Sequence, residues 1–199
     1  MTTGIEALVQ KALELKKKGL TQPEIAQELN LSSNTIEWLL TQSPTTRERA
    51  PPDVKIGWRS IGVTGARIKI LADLMTDLIL EELDAMEEEC DAVVGIAING
   101  IPIAAYVSEA LECDFVIHRP HVGGDVKVGL FSHNYASVEN KKVVIVDDVL
   151  GTGQTMENAI ATIKDAGGTP LLALVIVNKS ALDAIAGVPL RGLIRARAL

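Results

Sequence analysis

Apolar residues at helical spacing open the chain: Ile5, Leu8, Val9, Ala12, Leu13 and Leu15, followed by Lys16-Lys17-Lys18 and a stop at Gly19. Thr21-x-x-Glu24 with Pro23 in the first turn marks the start of a second helix, and Ile25, Ala26 and Leu29 form its apolar face. Asn30-Leu31-Ser32 breaks it, and a third helix runs from about 33 to 42 with Ile36, Leu39 and Leu40 inward. Residues 43–56, with Pro44, Pro51 and Pro52, have linker composition. A long amphipathic helix follows from about 65 to 89, its core face drawn by Ile68, Leu71, Met75, Leu78, Ile79 and Met86.

The period then changes. A strand at 92–98 leads through Asn99-Gly100 into a helix from about 101 to 112, and a short strand covers 114–118. A polar, Gly-rich stretch follows, with a hairpin expected around 126–131. Apolar strands are predicted at 143–146, 171–177 and 190–196, and helices at about 155–166 and 181–186. Continuous Val/Ile/Leu runs alternating with helices predict an α/β fold whose parallel sheet is covered on both faces. The boundaries divide the chain into a helical domain (1–42), a linker (43–56) and an α/β domain (57–199).

Composition narrows the class. The chain has 199 residues, 47% hydrophobic and 23% charged, which is globular rather than disordered. No apolar run is long enough for a membrane span, and the N-terminus has no signal-peptide pattern, so a cytoplasmic location is expected. Cys90 and Cys113 have no metal-ligand spacing and read as reduced thiols; no metal site is expected. Residues 1–50 carry six Lys/Arg and six Asp/Glu, so the net charge of −7 belongs to the rest of the chain. An N-terminal nucleic-acid module is compatible with that distribution.

The chemistry concentrates in Val143-Val144-Ile145-Val146-Asp147-Asp148-Val149-Leu150-Gly151-Thr152-Gly153-Gln154-Thr155. It places two carboxylates at the end of a buried strand, able to accept hydrogen bonds from a vicinal diol. It then places glycines, hydroxyls and bare N–H groups at a helix N-terminus, where a phosphate binds. A strand end with an ordinary helix cap explains one acid or one threonine, not the ordered run.

This run resembles the ribose-phosphate signature of type I phosphoribosyltransferases. The resemblance implies that Asp147 and Asp148 hold ribose hydroxyls of phosphoribosyl pyrophosphate. It implies that Gly151, Thr152, Gly153, Gln154 and Thr155 surround the 5-phosphate, and that Val149 also lies at the ligand. Val94-Gly95-Ile96-Ala97-Ile98-Asn99-Gly100-Ile101-Pro102-Ile103-Ala104 is similar to the family's pyrophosphate loop, especially that of orotate enzymes. Asn99 and Gly100 would meet pyrophosphate, and Mg²⁺ would come with the ligand rather than through a dedicated protein site. Where active orotate enzymes carry a Lys in that loop, this chain has Ile98-Asn99. Where they carry a Lys-rich catalytic loop, it has 118–127, which keeps Arg119 and Lys127. If catalysis operates, Asp148, Arg119 and Lys127 are its candidates. His118 and His121 read as loop histidines, and Trp38 and Trp58 as packing residues.

Leu20-Thr21-x-x-Glu24-Ile25-Ala26-x-x-Leu29-Asn30-Leu31-Ser32-x-x-Thr35-Ile36 resembles a helix-turn-helix DNA-binding domain. The resemblance implies that Ser32, Ser33, Asn34, Thr35 and Glu37 lie toward a major groove. A helical cap used for dimerisation is the plainer alternative. The third helix lacks Lys and Arg, so phosphate contacts would fall to Lys16, Lys17, Lys18, Arg47 and Arg49, and a homodimer would be needed to read two half-sites.

Together the expected layout is a type I phosphoribosyltransferase-like parallel sheet with flanking helices, preceded by a small all-α helix-turn-helix domain. It resembles archaeal orotate-phosphoribosyltransferase-like transcriptional regulators. The implied function is operator-DNA binding controlled by phosphoribosyl pyrophosphate or a related nucleotide metabolite. The alternatives are an active orotate or purine phosphoribosyltransferase with an accessory helical domain, and a sensor acting on a protein partner.

Overall fold

A computed structural model describes residues 4–41, 53–120 and 129–197. The chain divides into a helical unit, Met1–Gly57 with Arg197–Leu199, and an α/β unit, Trp58–Ala196.

The helical unit contains α1 (Gly4–Lys17), α2 (Gln22–Leu29) and α3 (Ser33–Thr41). Gly19 ends α1 with φ +90°, and the Leu20 N–H reaches back to the Leu15 carbonyl at 3.2 Å, a Schellman closure. At the start of α2 the Glu24 carboxylate accepts from both the N–H and the hydroxyl of Thr21, each at 2.7 Å. Asn30 takes the left-handed conformation at the other end, φ 51°. The three helices close over Ala12, Leu15, Ile25, Leu29, Ile36 and Leu39.

Ser32 caps α3, its hydroxyl accepting the Thr35 N–H at 3.1 Å. Asp53 then accepts the Ser32 N–H at 2.7 Å and the Thr35 hydroxyl at 2.8 Å, and the Ile56 carbonyl accepts from the Asn30 amide at 3.2 Å. Residues 53–56, expected as linker, therefore fold with the helices; 43–52 lie outside the described residues. An acid at 53 compensates the positive end of α3, which its own first turn does not do.

The α/β unit contains α4 (Arg59–Gly62), α5 (Gly65–Met86), β1 (Ala92–Ile96), α6 (Gly100–Ala110), β2 (Asp114–Arg119), β3 (Leu130–Phe131), β4 (Lys142–Leu150), α7 (Gln154–Asp165), β5 (Thr169–Asn178), β6 (Ala184–Ile185) and β7 (Val188–Arg195). The sheet order is β3-β2-β1-β4-β5-β7-β6. Its five inner strands are parallel, and β3 and β6 are antiparallel edges. Among the described residues no helix is long and apolar enough to cross a membrane, and both cysteines are free.

Two expectations need correction, and a third is only partly covered. The strand expected at 143–146 does not stop at the acids. It continues through them to Leu150, because β5 stays apolar to Val177 and keeps pairing, with Asp147 opposite Val175 and Val149 opposite Val177. The helix expected at 181–186 is absent. Ala184–Ile185 pair with Val188–Pro189 instead, across a two-residue turn in which Ala186 and Gly187 both have positive φ, 48° and 82°. Burial of Ile185 and Val188 overrides the helix preference of the alanines. Of the hairpin expected at 126–131, residues 126–128 lie outside the described residues, and Leu130–Phe131 pair with the end of β2.

Candidate functional site

The carboxyl edge of the parallel strands gathers the chemistry, as the crossover geometry of open α/β sheets dictates. β4 is neighboured on both sides, so its acids sit deep: Asp147 is 8% exposed and Asp148 4%. Their environments differ. The Asp147 Oδ1 accepts the backbone N–H of Asp148 at 2.9 Å. Burial, then the adjacent Asp148 charge, pushes the Asp147 carboxyl well above the usual carboxylate range.

Asp148 receives two side-chain donors on a single oxygen. The Trp58 Nε1–H donates to Oδ2 at 2.8 Å, and the Asn99 amide donates to the same Oδ2 at 3.0 Å. Asn99 is the N-cap residue of α6, yet its side chain does not cap the helix. The cap geometry instead aims the amide across to β4. Gly100 makes this approach possible: a Cβ there would lie 2.5 Å from the Val146 carbonyl oxygen and 3.2 Å from the Asp147 Cα. Gly95 allows a similar approach on the neighbouring strand, where a Cβ would lie 2.8 Å from that of Ala104. The Ala97–Ile98 peptide is cis, and the Ile98 side chain is 77% exposed.

β4 runs directly into the Gly151–Thr155 loop and α7. Gly153 is the N-cap of α7 with φ +89°, a conformation that favours glycine. Gly151 differs: a Cβ there would meet nothing within 4 Å. Thr152, Gln154 and Thr155 are exposed, Val149 is half-buried and Leu150 is buried. The structure thus brings Asn99, Gly100, Asp147 and Asp148 together, with the loop continuous with them.

Arg119 lies exposed at the end of β2, on the same edge of the sheet. Lys127 and His121 lie outside the described residues. His118 is not a loop histidine. It is fully buried in β2, edge-on to Phe131 with ring centroids 5.7 Å apart, and neither ring nitrogen has a hydrogen-bond partner among the described residues. Burial lowers its pKa to about 4. A Cβ on Gly129 would run into its Nε2. Among the described residues no three His, Cys, Asp or Glu cluster to hold a metal. A cleft of about 300 Å³ lined by Phe131, His133, Thr162 and Asp165 contains none of the acid-run residues.

On α3, Ser33, Asn34 and Glu37 are exposed. Thr35 is a correction to the expected groove-facing set: it is 6% exposed and bonded to Asp53. Ser32 is half-buried and spends its hydroxyl on the helix cap. Sequence reasoning also missed Trp58 as a site residue. A lone tryptophan 90 positions before the acid it bonds carries no spacing signal.

The phosphoribosyl transferase domain matches residues 57–183. The chain is 47% identical over 195 residues to the transcriptional regulator GfcR of Thermoplasma acidophilum, covering 98% of this chain and 97% of that one. It is 40% identical to the protein of the same name from Methanococcoides burtonii, covering 96% of each. Among solved structures, orotate phosphoribosyltransferase from Aeropyrum pernix matches with a TM-score of 0.58 at 24% identity, over 74% of this chain and 81% of that one. The Mycobacterium tuberculosis orotate enzyme in complex with 5-phospho-α-D-ribosyl 1-diphosphate matches at 0.56 and 19%, over 70% and 80%. Fold, acid run and near-full-length likeness agree: the chain belongs to the phosphoribosyl transferase family, within its group of archaeal transcriptional-regulator relatives.

Proposed function

We propose that the protein is a DNA-binding transcription regulator whose α/β unit senses phosphoribosyl pyrophosphate or a related nucleotide metabolite. The observation that carries this reading is the 47% identity extending over nearly the whole chain, helical unit included, to a protein named as a transcriptional regulator. The site supports the ligand. Asp147 and Asp148 would take ribose hydroxyls, the Gly151–Thr155 loop and the start of α7 the 5-phosphate, and Asn99 with Gly100 the pyrophosphate. Mg²⁺ would travel on the pyrophosphate oxygens. The acid pair fits an accessory contact to it better than a dedicated site, because one Asp148 oxygen already accepts two donors.

The helical unit supports DNA contact through the exposed Ser33, Asn34 and Glu37 of α3, with Lys16, Lys17 and Lys18 at the end of α1 for phosphates. A homodimer would present two such units to two half-sites. The deciding experiment is genome-wide capture of bound DNA with and without phosphoribosyl pyrophosphate. A ligand-dependent set of promoter sites supports the reading; absence of any sequence-specific binding overturns it.

The second reading, a working orotate or purine phosphoribosyltransferase, draws on the intact acid run. Pyrophosphate release from phosphoribosyl pyrophosphate and Mg²⁺ across a panel of nucleobases separates the two.

A further inference from the structure

Asp148 is already engaged by two donors of the protein itself. Trp58 Nε1 and Asn99 Nδ2 both donate to its Oδ2, at 2.8 and 3.0 Å. Two N–H donors use the two lone-pair positions of that oxygen. A ribose hydroxyl that binds Oδ2 of Asp148 therefore takes the place of one resident donor.

The two donors are held differently. Asn99 starts α6, and the next residue, Gly100, is in backbone contact with β4, where even a Cβ would lie 2.5 Å from the Val146 oxygen. That helix end has no slack. Trp58 precedes the four-residue α4, which buries none of its residues. Its half-buried indole rests on Gly62, where a Cβ would lie 2.8 Å from Cζ3. Trp58 is the donor free to yield.

We infer that Trp58 is the occupancy-reporting residue of this site: its indole N–H holds Asp148 in the free protein, and the ribose hydroxyls of the ligand displace it. This inference rests on the proposed ligand reading. It adds a residue outside the acid run, and it assigns that residue a change of partner. Trp58 is also the first residue of the α/β unit and follows Gly57, the last residue of the helical unit's main segment. A change at Trp58 therefore falls at one of the two points where the chain passes between the units.

The test uses the full chain, Mg²⁺ and phosphoribosyl pyrophosphate. Calorimetry compares wild type with Trp58→Phe, which keeps an aromatic ring and removes the donor. Displacement predicts binding about tenfold tighter in the variant, because the ligand no longer competes with a charge-assisted hydrogen bond. It also predicts that DNA affinity of the variant no longer responds to ligand. Wild-type protein labelled with 5-fluorotryptophan gives a second readout that does not depend on the variant folding. The Trp58 fluorine resonance shifts at saturation, whereas that of Trp38 does not have to. Equal or weaker ligand binding by a folded Trp58→Phe overturns the inference, as does an unmoved Trp58 resonance at saturation. Failure of wild type to bind the ligand at all overturns the sensing reading itself, and the inference falls with it.

Discussion

Replacing Gly100 by alanine is the sharpest test of how the site is built. The added Cβ would lie 2.5 Å from the Val146 oxygen, 3.2 Å from the Asp147 Cα and 3.3 Å from the Asp147 Oδ1. The first contact is with backbone, so no side chain can swing away to relieve it. β4 is paired with β1 and β5 and resists bending, so α6 must retreat. Overpacking of this kind costs about 1–3 kcal/mol, and the better helix propensity of alanine offsets at most about 1 kcal/mol. At mid-range the net loss is about 1–2 kcal/mol, which lowers Tm by roughly 2–8 °C for a domain of this size. The effect on the site is larger in proportion. Asn99 precedes Gly100, and its bond to Asp148 is 3.0 Å long. A retreat of about half an ångström or more takes it to the limit of hydrogen bonding. Asn99 and Gly100 are the proposed pyrophosphate contacts, so their retreat should cost about one charge-assisted hydrogen bond to the ligand, about 1.5–3 kcal/mol, and affinity for phosphoribosyl pyrophosphate should fall about tenfold to a hundredfold. Differential scanning fluorimetry and calorimetry measure both. A variant with unchanged Tm and unchanged affinity would refute the close-approach argument.

Gly151→Ala makes the contrast: its Cβ meets nothing within 4 Å, so Tm should hold while ligand affinity drops, and a drop in Tm of several degrees would contradict this. Asp147→Asn should raise the Tm of the free protein at neutral pH, because burial and Asp148 disfavour the charged carboxyl. Each unit of that upward displacement is worth about 1.4 kcal/mol, and the same variant should bind ligand more weakly; thermal melts with and without ligand decide both. His118 has its pKa lowered from 6.5 to about 4, so it contributes stability that is fully present above pH 6.5 and lost as pH falls from there toward 4. The loss is about 3 kcal/mol, and urea titrations at a series of pH values should show it in wild type and not in His118→Leu. Asp53→Ala removes the acceptor of the Ser32 N–H and the Thr35 hydroxyl and should destabilise the helical unit by about 2 kcal/mol; duplex binding in a gel-shift assay should fall while ligand binding persists.

Periodicity made the two architectures legible. The 3.6-residue spacing of Ile25, Leu29, Ile36 and Leu39 and the unbroken β4 and β5 runs survive in the fold almost residue for residue. The acid run and Asn99-Gly100 were legible because chemistry and local order coincide there. The remainder depends on contacts between distant segments. Asp53 looked like linker because its partners are 18 and 21 positions earlier. Thr35 looked like a groove-facing hydroxyl for the same reason. His118 sits beside a polar stretch in sequence, and only the pairing of β2 with β3 shows that Gly129 and Phe131 close over it. At 181–186 local propensity pointed the wrong way, since Ala186 adopts a left-handed conformation that alanine seldom takes.

The balance between sensor and enzyme turns on which interactions the site keeps. Ground-state capture of a ribose phosphate draws on Asp148, the loop after β4 and the N-terminus of α7, all present. Departure of pyrophosphate draws on cations placed where negative charge develops, and a single such contact is worth a few kcal/mol of barrier, roughly a hundredfold in rate. In segment 94–104, which resembles the family's pyrophosphate loop, the exposed side chain is Ile98, which supplies no charge. A sensor has a different requirement: its ligand must favour one conformation over another by a definite free energy. Exchange of the Trp58 donor for a ribose hydroxyl at Asp148 offers that difference. A charge-assisted hydrogen bond of about 1.5–3 kcal/mol matches the roughly 1–3 kcal/mol over which allosteric couplings range. If the proposed exchange operates, the same carboxylate that a transferase would use to hold its substrate becomes the point at which binding energy is converted into a change of conformation. The measurable consequence is reciprocal: operator DNA should alter affinity for phosphoribosyl pyrophosphate by the same factor by which that ligand alters affinity for DNA. Affinity for phosphoribosyl pyrophosphate unchanged by saturating operator DNA would rule out coupling through this site.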